Sequence, residues 1–406
     1  MLSREENQLL TQVGRGAPAG ELLRRYWHPV AVAGELTEEK PIKAVKILGE
    51  ELVVYRDTMG RYGLLGEHCP HRLASLAFGR VDEQGIRCPY HGWKFAASGK
   101  CLEQPAEPAD STFKERIQHT AYPVEKLGGL LFAYLGPTPQ PLLPRWDVLT
   151  WEHGKRWIVI DSLLDCNWFQ PMENSVDPSH LYWLHGHSAH LAPRMRNYDE
   201  RHEFIPFEFG IMKRRSTPGK NPAAPPMVDQ HPLLFPTTLR HVAPYQKGDG
   251  FRHNLQIRVP VDDTHTQVYR VNFLATASDH SPAEGDPTFH YSQLKTGQRQ
   301  YDMTKVSAQD SMAWETQGAI TDRRQEHLGV ADEGIILLRK LVKEQIEVVR
   351  RGQDPIGVIR DPQRNRIIEF DVINERIGLG RSQCPERDQA IALSVGTGAG
   401  GSVAAT

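Results

Sequence analysis

The spacing of apolar residues divides the chain. Ser3-Arg4-Glu5-Glu6 is a capping-box pattern, and Leu9, Leu10 and Val13 follow before Gly14, which predicts a short helix with a glycine stop. Glu21–Trp27 predicts a second short helix, closed by Pro29. From about Ile42 to Tyr134 the pattern becomes short β-rich pieces: Lys43–Leu48, Glu51–Tyr55, Tyr62–Leu65, Gly85–Cys88 and Leu130–Tyr134, separated by turn signals such as Met59-Gly60 and Ser98-Gly99. Further on, Gln256–Val261 and Gln267–Leu274 alternate as strands do. Val306–Gln317 and Ile335–Arg350 carry the helical period, the second with Ile335, Leu338, Val342, Ile346 and Val349 on one face. Ser216–Met227 and Ser281–Pro287 are proline- or glycine-bearing loops, of the kind that often lie over active sites. Val395–Thr406, mostly Gly, Ala, Ser and Thr, predicts a disordered end. The whole is α+β: a helical segment over 1–40, an all-β domain over 41–155, a mixed domain over 156–355 and an extension over 356–406.

A chain of 406 residues has room for two domains and a sizeable core. Lys+Arg 48 against Asp+Glu 50, with no long run of either sign, leaves no electrostatic footprint for nucleic acid or an anionic membrane, so a small partner is expected. Charged side chains begin at Arg4, and no window approaches the roughly 18 uninterrupted apolar residues of a membrane span. A cytoplasmic location is the resulting expectation. Five cysteines argue against a disulfide framework and favour metal binding wherever they cluster.

Two of them do cluster with histidines. Glu67-His-Cys69-Pro-His71-Arg is followed, with sixteen residues between His71 and Cys88, by Cys88-Pro-Tyr-His91-Gly-Trp. A structural Cys2His2 zinc site is the plain alternative, but zinc sites usually keep like ligands together, whereas here each loop offers one thiolate and one imidazole. A [2Fe-2S] cluster whose first iron takes both cysteines and whose second takes both histidines needs that mixture, which is the Rieske arrangement. Pro70, Pro89 and Gly92 shape the two loops. Cys101, Cys166 and Cys384 have no partner at such spacing and read as packing residues.

The stretch from Cys166 to His185 holds a second constellation, Asp177, His180 and His185. Asp177 and His180 share a helical face, but His185 lies about 140° around a regular helix from His180. Both histidines reach one ion only if the helix bulges or ends between them. Two imidazoles and one carboxylate make the facial triad of non-haem Fe(II) sites. The plainer reading is a helix with a capping carboxylate and two satisfied histidines.

With Asn167-Trp168, Glu173-Asn174 and Asp177-x2-His180-x4-His185 behind the Cys-His loops, the chain resembles the oxygenase component of the Rieske non-haem iron ring-hydroxylating oxygenases. Within that family it is most similar to the phthalate 4,5-dioxygenase group, through Glu21-Leu-Leu-Arg-Arg-Tyr-Trp27, Cys101-Leu-Glu-Gln-Pro-Ala-Glu-Pro108, Pro260-Val-Asp-Asp-Thr-His265, Trp314-Glu-Thr-Gln-Gly318 and Asp322-Arg-x2-Glu-His-Leu-Gly329. The resemblance spans about Leu22 to Arg350, and the stretch after Pro355 matches nothing assignable. It implies a catalytic domain over 156–355 in which an antiparallel sheet wraps around an iron-ligand helix. It also implies Asp310 as third ligand to a mononuclear Fe(II). Asp322 and Asp332 compete for that place, and read more simply as a surface pair with Arg323 and as a helix-start charge. Asn174 is placed near the iron without ligating it, with Glu173 behind it. Asp177 is placed between His180 and a neighbouring subunit's His91, within a homotrimer.

The family's chemistry implies a flavin and iron–sulfur reductase passing NAD(P)H electrons to the cluster, and O2 attacking a small aromatic substrate. Cis-dihydroxylation of an aromatic carboxylate is the first expectation; monooxygenation or demethylation of a methoxy- or N-methyl aromatic is the alternative. Arg240 is the candidate carboxylate fork, with Ser179 as second donor and Arg214 or Arg215 as alternatives. Two other classes predict different chemistry: a zinc-stabilised binding protein is colourless, and a Rieske electron carrier has no use for Asp310.

Overall fold

The computed structural model describes residues 1–186, 199–219, 221, 223–245, 250–275, 285–375 and 379. Helix α1 (Arg4–Thr11) starts at Ser3, whose hydroxyl accepts from the Glu6 N–H while the Glu6 carboxylate accepts from the Ser3 N–H, completing the capping box. Helix α2 (Pro18–Leu23) begins earlier than the apolar pattern suggests because Pro18 occupies its first turn, where a missing N–H costs nothing. It also ends earlier. Trp27–Val32 leaves the helical segment as a buried strand paired with Leu130–Tyr134.

The β region consists of three small sheets. Trp27–Val32, Leu130–Tyr134 and Val124–Leu127 form one; Ile42–Ile47, Glu50–Arg56, Tyr62–Gly66 and Ala121–Tyr122 form the second. The third, Arg80–Asp82, Gly85–Arg87, Lys94–Phe95 and Cys101–Glu103, is an antiparallel meander in chain order. Its core holds Val53, Tyr55, Leu65, Leu76, Ile86, Trp93 and Phe95 together with Cys69, Cys88 and Cys101. Cys101 is a packing residue there. Cys166 has the same role beside Leu164, Val268 and Ala308, while Cys384 lies outside the described residues.

The second domain is built on one large sheet, in the order Arg201–Phe207, Gly210–Thr217, Met227–Leu234, Thr238–Pro244, Phe251–Pro260, Thr266–Leu274, Lys155–Asp161 and Thr288–Ser292, with Ile373–Asn374 added beside Met227–Leu234. Its pairs are antiparallel except Lys155–Asp161 with Thr288–Ser292, which is parallel. The short helices α3 (Asp147–Thr150), α4 (Phe169–Ser175) and α5 (His180–Trp183) and the longer α6 (Val306–Glu315) and α7 (Glu333–Arg350) complete it. Helix α7 buries Leu338, Val342, Ile346 and Val349 on one stripe, against α1, α2 and α4, at about 1.5–3 kcal/mol per side chain. Beyond Pro355 the chain packs back on this domain: Ile359 and Ile368 bridge to Leu142 and Trp146, and Phe370 sits against Trp146 and Phe209. Residues 218–226 connect two strands, while 281–284 and the 395–406 end lie outside the described residues.

Candidate functional site

Two adjacent loops present Cys69, His71, Cys88 and His91. In the first, the Leu73 N–H returns to the Cys69 carbonyl (2.9 Å) with Leu73 at φ 60°, a conformation unusual for a branched residue and one that clusters at functional sites. In the second, the Gly92 N–H reaches the Cys88 carbonyl (3.2 Å) at φ 74°, where a Cβ would also come within 3.2 Å of Pro105. The turns bury both cysteines and leave the imidazoles at the mouth, ring centroids 4.6 Å apart, with the His71 ring stacked 4.5 Å from Trp93. Burial pushes the Cys69 thiol up to about 12, with the Cys88 thiol beside it adding to the rise. A bound metal is what holds such a pair as thiolates. Among the described residues, the only group of three or more Cys, His, Asp or Glu donors lying mutually within 4.8 Å is elsewhere in the chain. The Cys69 and Cys88 thiols lie side by side, as do the His71 and His91 rings, and two such pairs suit a two-iron cluster that takes the cysteines on one iron and the histidines on the other.

That other group is His180, His185 and Asp310. Pro178 has no N–H and disfavours helix at Asp177, so the ligand stretch breaks into α4 and α5. Helix α5 ends at Trp183, before His185, which resolves the angular mismatch between the histidines by termination instead of a bulge. Asp310 comes from α6. Its Oδ1 lies 3.2 Å from His185 Nε2 and 3.9 Å from His180 Nε2, and is buried without a hydrogen-bond donor. An acceptor left so between two imidazole nitrogens suits a cation at their centre. The competitors are occupied elsewhere: Asp322 pairs on the surface with Arg324, not Arg323, and Asp332 accepts the Gly329 N–H at the start of α7.

Each histidine is held from behind. Asp177 accepts the Ser179 N–H (2.9 Å), closing the turn that leads into α5 without capping the helix itself, while its other oxygen lies 3.7 Å from His180 Nδ1. Burial alone would raise this carboxyl, but His180 and the Ser179 N–H hold it below the usual range. His185 Nδ1 lies 2.8 Å from Gln309 Oε1, a contact that the residue spacing gave no reason to expect. Asn174 is half-buried one turn before Asp177, whose N–H donates to its carbonyl. Glu173 turns away from the iron ligands: its carboxylate takes buried Arg323 through both Nε and Nη2, and Arg339 from α7, which ties α4 to the scaffold.

The strand register separates the residues facing this site from those behind it. Lys213 opposes His231, Arg215 opposes Asp229, and His241, Asn254 and Asn272 align, as do Gln256 and Arg270. This face looks onto α4 and α6. Lys213 Nζ donates to the Ser175 carbonyl (3.0 Å), and Arg258 donates to the Ser175 hydroxyl and lies 5.5 Å over the Trp314 ring. Burial, then Arg215 nearby, pushes Lys213 down to about 7; burial pushes Asp161 up to about 6 despite its pairing with Arg270.

Arg240 belongs to the opposite face, and this corrects its expected role as a substrate fork. It is buried on Asp147 of α3 (3.0 Å), His253 (2.9 Å) and the Trp151 ring, with its donors spent on a core ion pair. Arg214 is also on that face, paired with Glu203, whereas Arg215 is on the iron-facing side, paired with Asp229. Ser179 adjoins His180 at the start of α5.

A model for the Rieske [2Fe-2S] domain matches residues 26–123, and one described as LigXa C-terminal domain like matches 291–379, which gives the stretch after Pro355 a place that its residues alone did not. The chain is 40% identical to the 5,5'-dehydrodivanillate O-demethylase oxygenase subunit of Sphingobium sp., covering 92% of this chain and 87% of that one. Identity is 36% to the phenoxybenzoate dioxygenase subunit alpha of Ectopseudomonas oleovorans (86% and 87% covered) and 31% to the phthalate 4,5-dioxygenase oxygenase subunit of Pseudomonas putida (92% and 92%). Among solved structures, NdmA of Pseudomonas putida CBB5 with caffeine shares the fold at TM-score 0.64 and 22% identity, covering 82% of this chain and 94% of that one. A second solved structure of like fold, at TM-score 0.57 and 18% identity and covering 82% of this chain and 99% of that one, is dicamba monooxygenase with non-heme iron and dicamba. No helix among the described residues is long and apolar enough to cross a membrane. Mixed-ligand loops, a two-histidine, one-carboxylate site and likeness over most of its length agree: the chain is an oxidoreductase belonging to the Rieske non-haem iron ring-hydroxylating oxygenases, as an oxygenase component of the phthalate 4,5-dioxygenase-like group.

Proposed function

We propose that this oxygenase acts on an aromatic carboxylate. The observation that carries the reading is the set of buried cations, Lys213, Arg215 and Arg258, on the sheet face turned towards α4, which leads into the His180–His185 stretch, and α6, which bears Asp310. Buried positive charge is costly unless paired, and Lys213 has only a backbone carbonyl at hydrogen-bond distance among the described residues. A substrate carboxylate lowers that cost and orients the ring. Iron bound at His180, His185 and Asp310 would supply the oxygen chemistry, with electrons drawn from a cluster at Cys69, His71, Cys88 and His91.

Cis-dihydroxylation is the first reading: one O2, two electrons and two protons add across a ring double bond, giving a dihydrodiol. The second, favoured by the 40% identity to an O-demethylase subunit, inserts one oxygen atom into a methoxy C–H bond, releases the other as water and leaves a phenol and formaldehyde. Both consume the same two electrons, from NAD(P)H through a separate reductase. The assembly that fits is a homotrimer in which the partner subunit's His91 approaches Asp177. Exposed Leu73 and Tyr90 beside the cluster loops and exposed Trp183 beside the iron ligands support such a contact. Incubating the enzyme, O2, NADH and a surrogate reductase with paired aromatic acids and their neutral amides tests the substrate class. Products from the acids, with gain of two oxygens and two hydrogens or loss of CH2, are the expected result; equal turnover of acids and amides would overturn the carboxylate reading.

A further inference from the structure

The two iron-site histidines are backed by groups of different kinds. Asp177, behind His180, is a carboxylate on the same short stretch of chain. Gln309, behind His185, is a neutral amide from α6, 124 positions away, and its side chain is buried.

The orientation of that amide can be deduced. Gln309 Nε2 lies 2.7 Å from the Met303 carbonyl oxygen, which can only accept, so the NH2 group is the end directed to Met303. The Gln309 carbonyl oxygen is then the end 2.8 Å from His185 Nδ1. An oxygen there requires Nδ1 to be the protonated ring nitrogen. In the neutral ring, the form that binds a metal, Nε2 then carries the lone pair, 3.2 Å from Asp310 Oδ1. Met303 is itself placed by its N–H bond to the Tyr301 carbonyl (2.9 Å) at the entry to α6.

We infer that Gln309 is a positioning residue that fixes the tautomer and the ring plane of His185, so that Nε2 is presented to the metal before any metal arrives. The chain of constraint is the Met303 carbonyl, the Gln309 amide, and His185 Nδ1–H. Gln309 and Asp310 are consecutive on α6, so one turn of helix supplies both a ligand and the group that orients another.

This inference rests on His185 being an iron ligand, and the experiment separates the two. Fe(II) is titrated into protein with an intact cluster and a metal-depleted second site, for wild type, His185→Ala, Gln309→Leu and Gln309→Glu; the readouts are the Fe(II) dissociation constant and the EPR line shape of the nitric oxide adduct. Gln309→Leu is expected to weaken Fe(II) binding about 10–100-fold and broaden the EPR signal, with cluster absorption unchanged. Gln309→Glu, which restores an acceptor to Nδ1–H but loses the donation to Met303, is expected to recover most of the affinity. Gln309→Leu within threefold of wild type, while His185→Ala abolishes binding, would overturn the role of Gln309 and leave the ligand set standing. Equal losses in the Leu and Glu variants would reduce Gln309 to a scaffold residue. Undiminished binding in His185→Ala would remove the ligand assignment, and this inference with it.

Discussion

The two metal centres are assembled in opposite ways. The cluster loops keep their four donors within one short span, and backbone turns such as Leu73 N–H to Cys69 and Gly92 N–H to Cys88 set their shape. The candidate iron site gathers His180 from the start of α5, His185 from just beyond its end and Asp310 from α6, and the side-chain acceptors Asp177 and Gln309 lie behind the rings. A locally folded site is sensitive to its ligands and turns. A site assembled from afar also depends on everything that places α4 and α6, including the Glu173–Arg323–Arg339 network and the sheet face below.

Breaking one centre should therefore spare the other. Asp310→Ala is expected to abolish turnover and empty the iron site while the Rieske absorption stays at wild-type intensity; loss of the cluster as well would show the centres to be one folding unit. Next in size is Arg240→Met. Removing one partner of a buried pair leaves Asp147 uncompensated, at about 3–5 kcal/mol of stability by denaturant melting, and KM for the aromatic acid should not move. A large KM increase without destabilisation would return Arg240 to the substrate. Asp177→Asn should retain iron and cluster but lower turnover about 10–100-fold; failure to bind iron would make Asp177 a ligand. Lys213→Met is expected to raise KM by roughly tenfold, the scale of one charge-assisted hydrogen bond, with kcat little changed.

Lys213 also gives the comparison a pH axis. Its ammonium is pushed down to about 7 by burial, so it is largely neutral at pH 8, and a bound carboxylate raises its proton affinity again. Binding at pH 8 should take up a fraction of a proton, and affinity should fall as pH rises above about 7. Calorimetry in two buffers of different ionisation enthalpy reads this directly, and Lys213→Met should erase it.

What could be read beforehand follows the same division. Cys69, His71, Cys88 and His91 were legible because their spacing is local, and most strand ends fell within a residue or two of the expected ones. Leu130–Tyr134 coincides. Arg240 was misplaced because Thr238–Pro244 has buried residues on both sides of the sheet, so polar–apolar alternation does not say which side chains face the iron. Glu173 with Arg323, and Gln309 with His185, join positions more than a hundred residues apart, and no local pattern announces them. The second helix was set too late because Trp27–Val32 is apolar but for His28, which suits a buried strand or a helix end equally well.

The coupling of the two centres across subunits is tested most directly by mixing two inactive chains. Cys88→Ser loses the cluster and keeps the iron site; Asp310→Ala does the reverse. In a head-to-tail ring an active junction needs an Asp310→Ala chain donating to a Cys88→Ser chain, so randomly mixed trimers should recover about a quarter of wild-type activity, one half times one half. Background activity in verified mixed trimers would mean that electrons pass within one chain, and would remove Asp177 from the path between the metals.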